Sequence, residues 1–161
     1  MKIDKKKPHL FIRINNYDNY DYILEHKKVI ERNGFTWILK IGKTINKDFI
    51  ESLVKEKTGI IIKSSKKLGN KFYYCKVEDV DPHNKKLIYP DYYEDYFWYE
   101  GYNLEDLVDN GYWFKITTMT EIPKNIVDKF VIIKSQKPLY DCATETRVVH
   151  MYIENNSAIE I

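Results

Sequence analysis

Several architectures are excluded by what this 161-residue chain lacks. Its two cysteines, Cys75 and Cys142, lie 67 positions apart and in no CxxC or Cys/His cluster. They read as reduced core thiols, not as the staple of a small disulfide scaffold. The six glycines form neither GxGxxG nor GxxxxGK[ST], so no phosphate-cradling loop is encoded. No apolar run exceeds five residues, too short for a membrane span or a signal-peptide core, although Lys2, Lys5, Lys6 and Lys7 follow Met1. A cytoplasmic chain without membrane contact is expected. HExxH, paired histidines and a GxSxG elbow are also missing, so the sequence gives no support to an enzyme, a metal site or a cofactor. His9, His26, His83 and His150 read as packed or solvated side chains.

What is present is 43% apolar residues with 14 Tyr, 7 Phe and 3 Trp, enough for one packed domain over residues 1–161. The Lys, Ile, Asn and Tyr bias also suits an AT-rich, bacterial coding sequence. The net charge of +2 is too small to mark a nucleic-acid binder, but its distribution is uneven. Residues 1–80 carry +8, residues 81–112 carry −6, and the remainder is neutral. A basic first half and an acidic aromatic insert at 81–112 suggest two surfaces with different partners.

Residues 9–14 (HLFIRI) predict a strand, followed by turn residues in which Asp18 or Asn19 would cap a helix ending at Asn33-Gly34. FTWILKI (35–41) predicts a second strand. Asn46 caps a second helix with the face Phe49, Ile50, Leu53 and Val54, closed by Gly59. A hairpin follows, pairing residues 59–65 with 71–80 across KKLGN. Asn103 to Asn110 predicts a short helix, Tyr112 to Thr120 a strand, Asn125 to Phe130 a helical connection, and 131–135 and 147–154 two further strands. Alternation places Trp113, Lys115 and Thr117 on one face and Tyr112, Phe114 and Ile116 on the other.

Three stretches resemble the PUA-like superfamily, specifically the EVE and YTH modified-base readers. They are NGFTWILK (33–40), IIIKSSKKLGNKFYYCKVEDV (60–80) and YWFKITTMTEIPKNIVDKFVIIKSQKPLYDCATETRVV (112–149). Trp37 is similar in placement to a cage Trp of YTH domains. The opening HLFI lacks the aromatic-Trp start of EVE domains, and 81–112 aligns with neither branch. The resemblance implies an α+β fold, a small curled mixed β-barrel flanked by two or three helices. It also implies non-catalytic binding of DNA or RNA carrying a modified or flipped base. Such a pocket stacks the base on aromatic walls, reads its edge with a few polar groups and holds phosphates with rim cations. Trp37, Trp98 and Trp113 are the candidate walls, and Ser64 and Ser65 the candidate donors. Arg13, Lys40, Lys43, Lys63, Lys66, Lys67 and Lys71 are the candidate phosphate ligands. Core packing is the competing role for each Trp, turn chemistry for each Ser and a solvated face for the lysines. The alternative function is a protein-interaction domain whose partner docks on the acidic Tyr/Trp-rich insert.

Overall fold

The computed structural model describes residues 1–64 and 69–161, so the candidates Ser65, Lys66 and Lys67 lie outside the described residues. In chain order the elements are β1 (Lys2–Ile3), β2 (Pro8–Arg13), α1 (Tyr22–Asn33), β3 (Thr36–Lys40), α2 (Lys47–Lys55), β4 (Gly59–Lys63) and β5 (Phe72–Asp79). Then come α3 (Tyr92–Glu100), α4 (Leu104–Asn110), β6 (Tyr112–Ile116), β7 (Thr120–Ile122), α5 (Lys124–Val127), β8 (Phe130–Ile132), α6 (Leu139–Glu145), β9 (His150–Asn155) and β10 (Ile159–Glu160). The fold is α+β. Among the described residues no helix is long and apolar enough to cross a membrane.

The two N-terminal helices start and stop on local chemistry. Asp21, not Asp18 or Asn19, caps α1 by accepting from the Leu24 amide at 2.9 Å, and Gly34 ends it in the left-handed region at φ 80°. Asn46 caps α2 through the Phe49 amide at 3.0 Å. Gly59 opens β4 and does not close the helix. A Cβ there would lie 2.1 Å from the Cys75 carbonyl oxygen of the neighbouring strand, so only glycine fits.

The main sheet runs β3-β6-β5-β4-β2-β9-β8, with β7 pairing along β5 beyond the end of β6. The strand expected over 112–120 is thus two short strands, because the ladder to β5 breaks between Ile116 and Thr120. β2 and β4 are parallel; the other ladders are antiparallel. The sheet is open: β3 and β8 end the order, and it does not close into the expected barrel. Side chains of α1 and α2 cover one face of the sheet. Tyr22, Ile23, Ile50 and Leu53 pack there with Ile12, Ile38, Ile60 and Phe114.

Six helices, not two or three, occur among the described residues, and they divide the apolar core. The opposite face of β2, β4 and β9 buries Phe11, Ile61 and Ile153 under Val127, Leu139 and Ala143 of α5 and α6. That two-sided burial is why Ile60-Ile61-Ile62 is an unbroken apolar run. A third cluster lies on β3 and β6, where α3 and α4 of the acidic segment cover Trp37 and Trp113 with Tyr92, Tyr93, Phe97 and Leu107. The aromatic run at 92–99 is therefore a helix laid on the sheet. Both cysteines are free, Cys75 buried and Cys142 half-buried.

Candidate functional site

The predicted strand alternation is seen in β6. Trp113 and Lys115 lie across from Leu39 and Trp37 of β3, while Phe114 and Ile116 face the central core. Yet the face carrying Trp37 and Trp113 is roofed by α3 and α4, and each indole is only 1% exposed. Neither stands in an open hollow. The Trp113 Nε1–H donates to the Leu107 carbonyl at 2.8 Å, pinning β6 to α4, and Trp113 is among the residues lining a groove of about 770 Å³ with Ile45, Asn46, His83 and Asp109. Trp37 Nε1 is buried without a hydrogen bond. Trp98 is the opposite case, 84% exposed on the outer side of α3.

A pocket of about 260 Å³ does exist, but tyrosines wall it. It opens between the end of β2 with the following turn (Arg13 to Tyr17), the end of β3 (Leu39 to Ile41) and the inner side of α3. Tyr92, Tyr93, Tyr96 and Phe97 point inward from α3 because positions four apart share a helix face. Tyr17 meets Tyr96 edge-on at 5.1 Å, and Tyr20 stacks on Tyr92 at 5.0 Å with 15° between planes.

Buried hydrogen bonds fix the floor. His26 Nδ1 lies 2.7 Å from the Tyr22 carbonyl and Nε2 lies 2.8 Å from the Tyr93 hydroxyl. Burial pushes the His26 pKa down to about 4, so the ring is neutral near pH 7. A carbonyl can only accept, so Nδ1 carries the proton and Nε2 accepts from Tyr93 O–H. Burial also raises the Tyr93 pKa. The Tyr22 hydroxyl beside it is buried without a well-directed hydrogen bond. At the mouth, Asn16 Oδ1 accepts from the Tyr22 amide at 3.0 Å, which orients its NH₂ as a free donor pair.

One flank of the pocket is cationic. Lys40 Nζ donates to the Ile41 carbonyl at 2.6 Å and keeps two further donors; burial lowers its pKa, and it has no carboxylate partner among the described residues. The His150 pKa is lowered by burial and then by the charges of Lys40 and Lys43. Arg13 also lines the pocket, but its fork is largely spent on structure. Nη2 donates to the Ala143 and Thr146 carbonyls at 2.7 and 2.8 Å, and Nε to the Val148 carbonyl at 3.2 Å. The opposite flank is acidic: Asp95 and Glu100 help raise the Tyr17 pKa, after burial and Asp18.

The remaining candidates lie elsewhere. Lys63 is 1% exposed and donates to the Ser64 carbonyl and to Asn70 Oδ1, so it serves the hairpin end and reaches no phosphate. Ser64 closes the same hairpin, its Oγ accepting from the Lys71 amide at 2.9 Å. Lys71 pairs with Glu121 at 3.2 Å. Ser64 and Lys71 line a separate shallow depression with Tyr73. Of the described candidates, then, only Arg13 and Lys40 line the tyrosine pocket.

The sequence reading does not single out Asn16, Tyr17, Tyr22, Tyr93 or Tyr96. Two signals for them are present: an Asn-Asn-Tyr turn directly after a strand, and aromatic pairs four apart at 92/96 and 93/97. Among the described residues no group of three His, Cys, Asp or Glu side chains is placed to hold a metal ion. No protein-family model, curated protein or solved structure matches the chain.

Proposed function

We propose that the chain is a non-catalytic nucleic-acid-binding module that takes one base, modified or flipped out of a strand, into the tyrosine-walled pocket. The carrying observation is the pocket's asymmetry: the rings of Tyr17 and Tyr96 line it from one side and Lys40, with no carboxylate partner among the described residues, from the other. The volume is just below the range of drug-sized sites (about 300–1,000 Å³), suiting a single planar ring system. Asn16 supplies an amide donor for a base edge. The backbone would cross the Lys40–Lys43–His150 flank, because Asp95 and Glu100 repel phosphate on the α3 side. PUA-like kinship remains the premise for choosing DNA or RNA, and the open sheet departs from that family's closed barrel.

The test is fluorescence anisotropy with modified and unmodified single- and double-stranded oligonucleotides at about 50 and 200 mM salt. Single strands should bind better than duplexes, since extruding a paired base costs a few kcal/mol. Tyr96→Ala should weaken binding by about 1–3 kcal/mol, the worth of one base–aromatic stack. Lys43→Ala should reduce the salt slope by about one charge and leave base preference unchanged. Salt-insensitive or absent binding to every oligonucleotide would overturn the proposal.

A further inference from the structure

Helix α3 has two faces with different chemistry. Tyr92, Tyr93, Tyr96 and Phe97 face the protein, whereas Trp98 and Tyr99 are 84% and 71% exposed. Tyr102 and Leu104, at the α3–α4 junction, add further exposed apolar surface. A solvent-facing indole is rare because burying an aromatic ring is among the largest gains that folding offers. Its surroundings are of one sign. From Leu87 to Phe114 there is no Lys, Arg or His, while seven Asp and Glu occur.

Helical spacing sets Glu94 and Asp95 four and three positions before Trp98, one turn away, and Glu94 accepts from the Tyr89 hydroxyl at 2.5 Å. Asp95, Glu100, Glu105 and Asp106 are exposed and make no ion pair among the described residues. Glu100 stands in the last turn of α3, where the helix dipole disfavours a carboxylate and no basic residue offsets it. Glu94 and Asp95, and Glu105 and Asp106, lie in the first turns of α3 and α4, where the dipole favours them, so Glu100 is the carboxylate that the helix leaves uncompensated and that a cationic occupant would relieve.

We propose that the outer face of α3, centred on Trp98 and Tyr99, docks a basic segment of a partner protein, with an Arg or Lys of that segment over the Trp98 ring and its other cations on Glu94, Asp95 and Glu100. Trp is the strongest side-chain π acceptor for cations, and surrounding carboxylates raise the local cation concentration. The same charge excludes nucleic acid from this face, so the two surfaces of the chain take different partners. The proposal does not depend on the base pocket, because neither Trp98 nor Tyr99 lines it.

The test uses the full chain and short fluorescein-labelled peptides, one of alternating Arg and Leu and one of alternating Glu and Leu. The Arg/Leu peptide should bind, less tightly at high salt, and the Glu/Leu peptide should not. Trp98→Ala should weaken binding roughly tenfold, the size of one desolvated cation–π contact. The triple variant Glu94→Gln, Asp95→Asn, Glu100→Gln should flatten the salt dependence. Circular dichroism and the oligonucleotide assay should leave Trp98→Ala indistinguishable from the parent, showing that the fold is intact. The idea is overturned if the Arg/Leu peptide does not bind, if Trp98→Ala binds it equally well, or if the Glu/Leu peptide binds as tightly. Sedimentation that revealed Trp98-dependent self-association would assign the face to a second copy of the chain and likewise overturn it.

Discussion

Trp37 and Trp113 share one roofed sheet face but differ in a single atom's fate. The Trp113 N–H reaches the Leu107 carbonyl, whereas the Trp37 N–H is buried with no acceptor. Replacing each by Phe removes similar ring area, so the hydrogen bond decides the difference. Trp113→Phe forfeits a buried bond, a loss of about 1 kcal/mol beyond the packing term; Trp37→Phe sheds an unsatisfied donor that costs about 1–3 kcal/mol to bury. Urea unfolding should therefore rank Trp113→Phe as the more destabilising by about 2–4 kcal/mol. Equal losses would mean that the Trp37 N–H has a partner in solution. The alternation that grouped Trp113 with Lys115 was readable from sequence, but what covers that face was not. Period-2 patterning assigns sides of a strand and is silent on which distant helix lies across them.

Element boundaries were legible where a local cap dictates them and obscure where a distant group does. Asn46 and Gly34 announce their helix ends, and the 59–80 hairpin follows from its turn. Helix α3 has such a cue at its end, where Gly101 is left-handed at φ 71°, but none at its start: Asp91 makes no side-chain cap, and its aromatic residues face both inward and outward. Helix α6 is held from afar. Its last turn has no basic residue of its own, and Arg13 on β2 supplies the missing donors to the Ala143 and Thr146 carbonyls, then to that of Val148. No spacing rule links positions 13 and 143, so this clamp could be found only from coordinates, and the same residue reads from sequence as a phosphate ligand. A lysine keeps the charge but lacks the planar fork. Arg13→Lys should accordingly destabilise the protein by about 1–3 kcal/mol and speed hydrogen exchange in α6 relative to α2. Uniform exchange in both helices would show that the clamp carries no weight.

Two histidines buried in different clusters make the stability of the whole molecule depend on pH. His9 packs edge-on against Phe130 and Tyr74, with centroids at 5.0 and 5.8 Å, and His26 sits under α3. Burial lowers both pKa values to about 4, against an ordinary value of 6.5. Above pH 6.5 both rings are neutral in the folded and unfolded chain, and their contribution to stability is fully retained. As pH falls from 6.5 towards 4 the unfolded chain takes up protons that the folded chain refuses, so stability is lost; below 4 the loss levels off. Each ring should cost roughly 2 kcal/mol at pH 5 by this linkage. Exposed His83, held between Asp81 and Asp109 at 3.0 and 3.1 Å, has a raised pKa and works in the opposite sense: its support is present below pH 6.5 and fades as pH rises through the folded value. Urea midpoints should drop between pH 7 and pH 5, and His26→Gln, which keeps an acceptor for Tyr93 without titrating, should lessen the slope by about one proton. An unchanged slope in that variant would place the His26 ring in contact with water. The same proton reaches the pocket, because an imidazolium Nε2–H can no longer accept from Tyr93. If the tyrosine-walled pocket takes a base, acidification towards pH 4, the His26 value, should therefore weaken base selectivity. Anisotropy at pH 7, 5.5 and 4 checks this: selectivity should hold from 7 to 5.5, where His26 is neutral, and fall by pH 4, whereas a fall already at 5.5 would place the ring in contact with water.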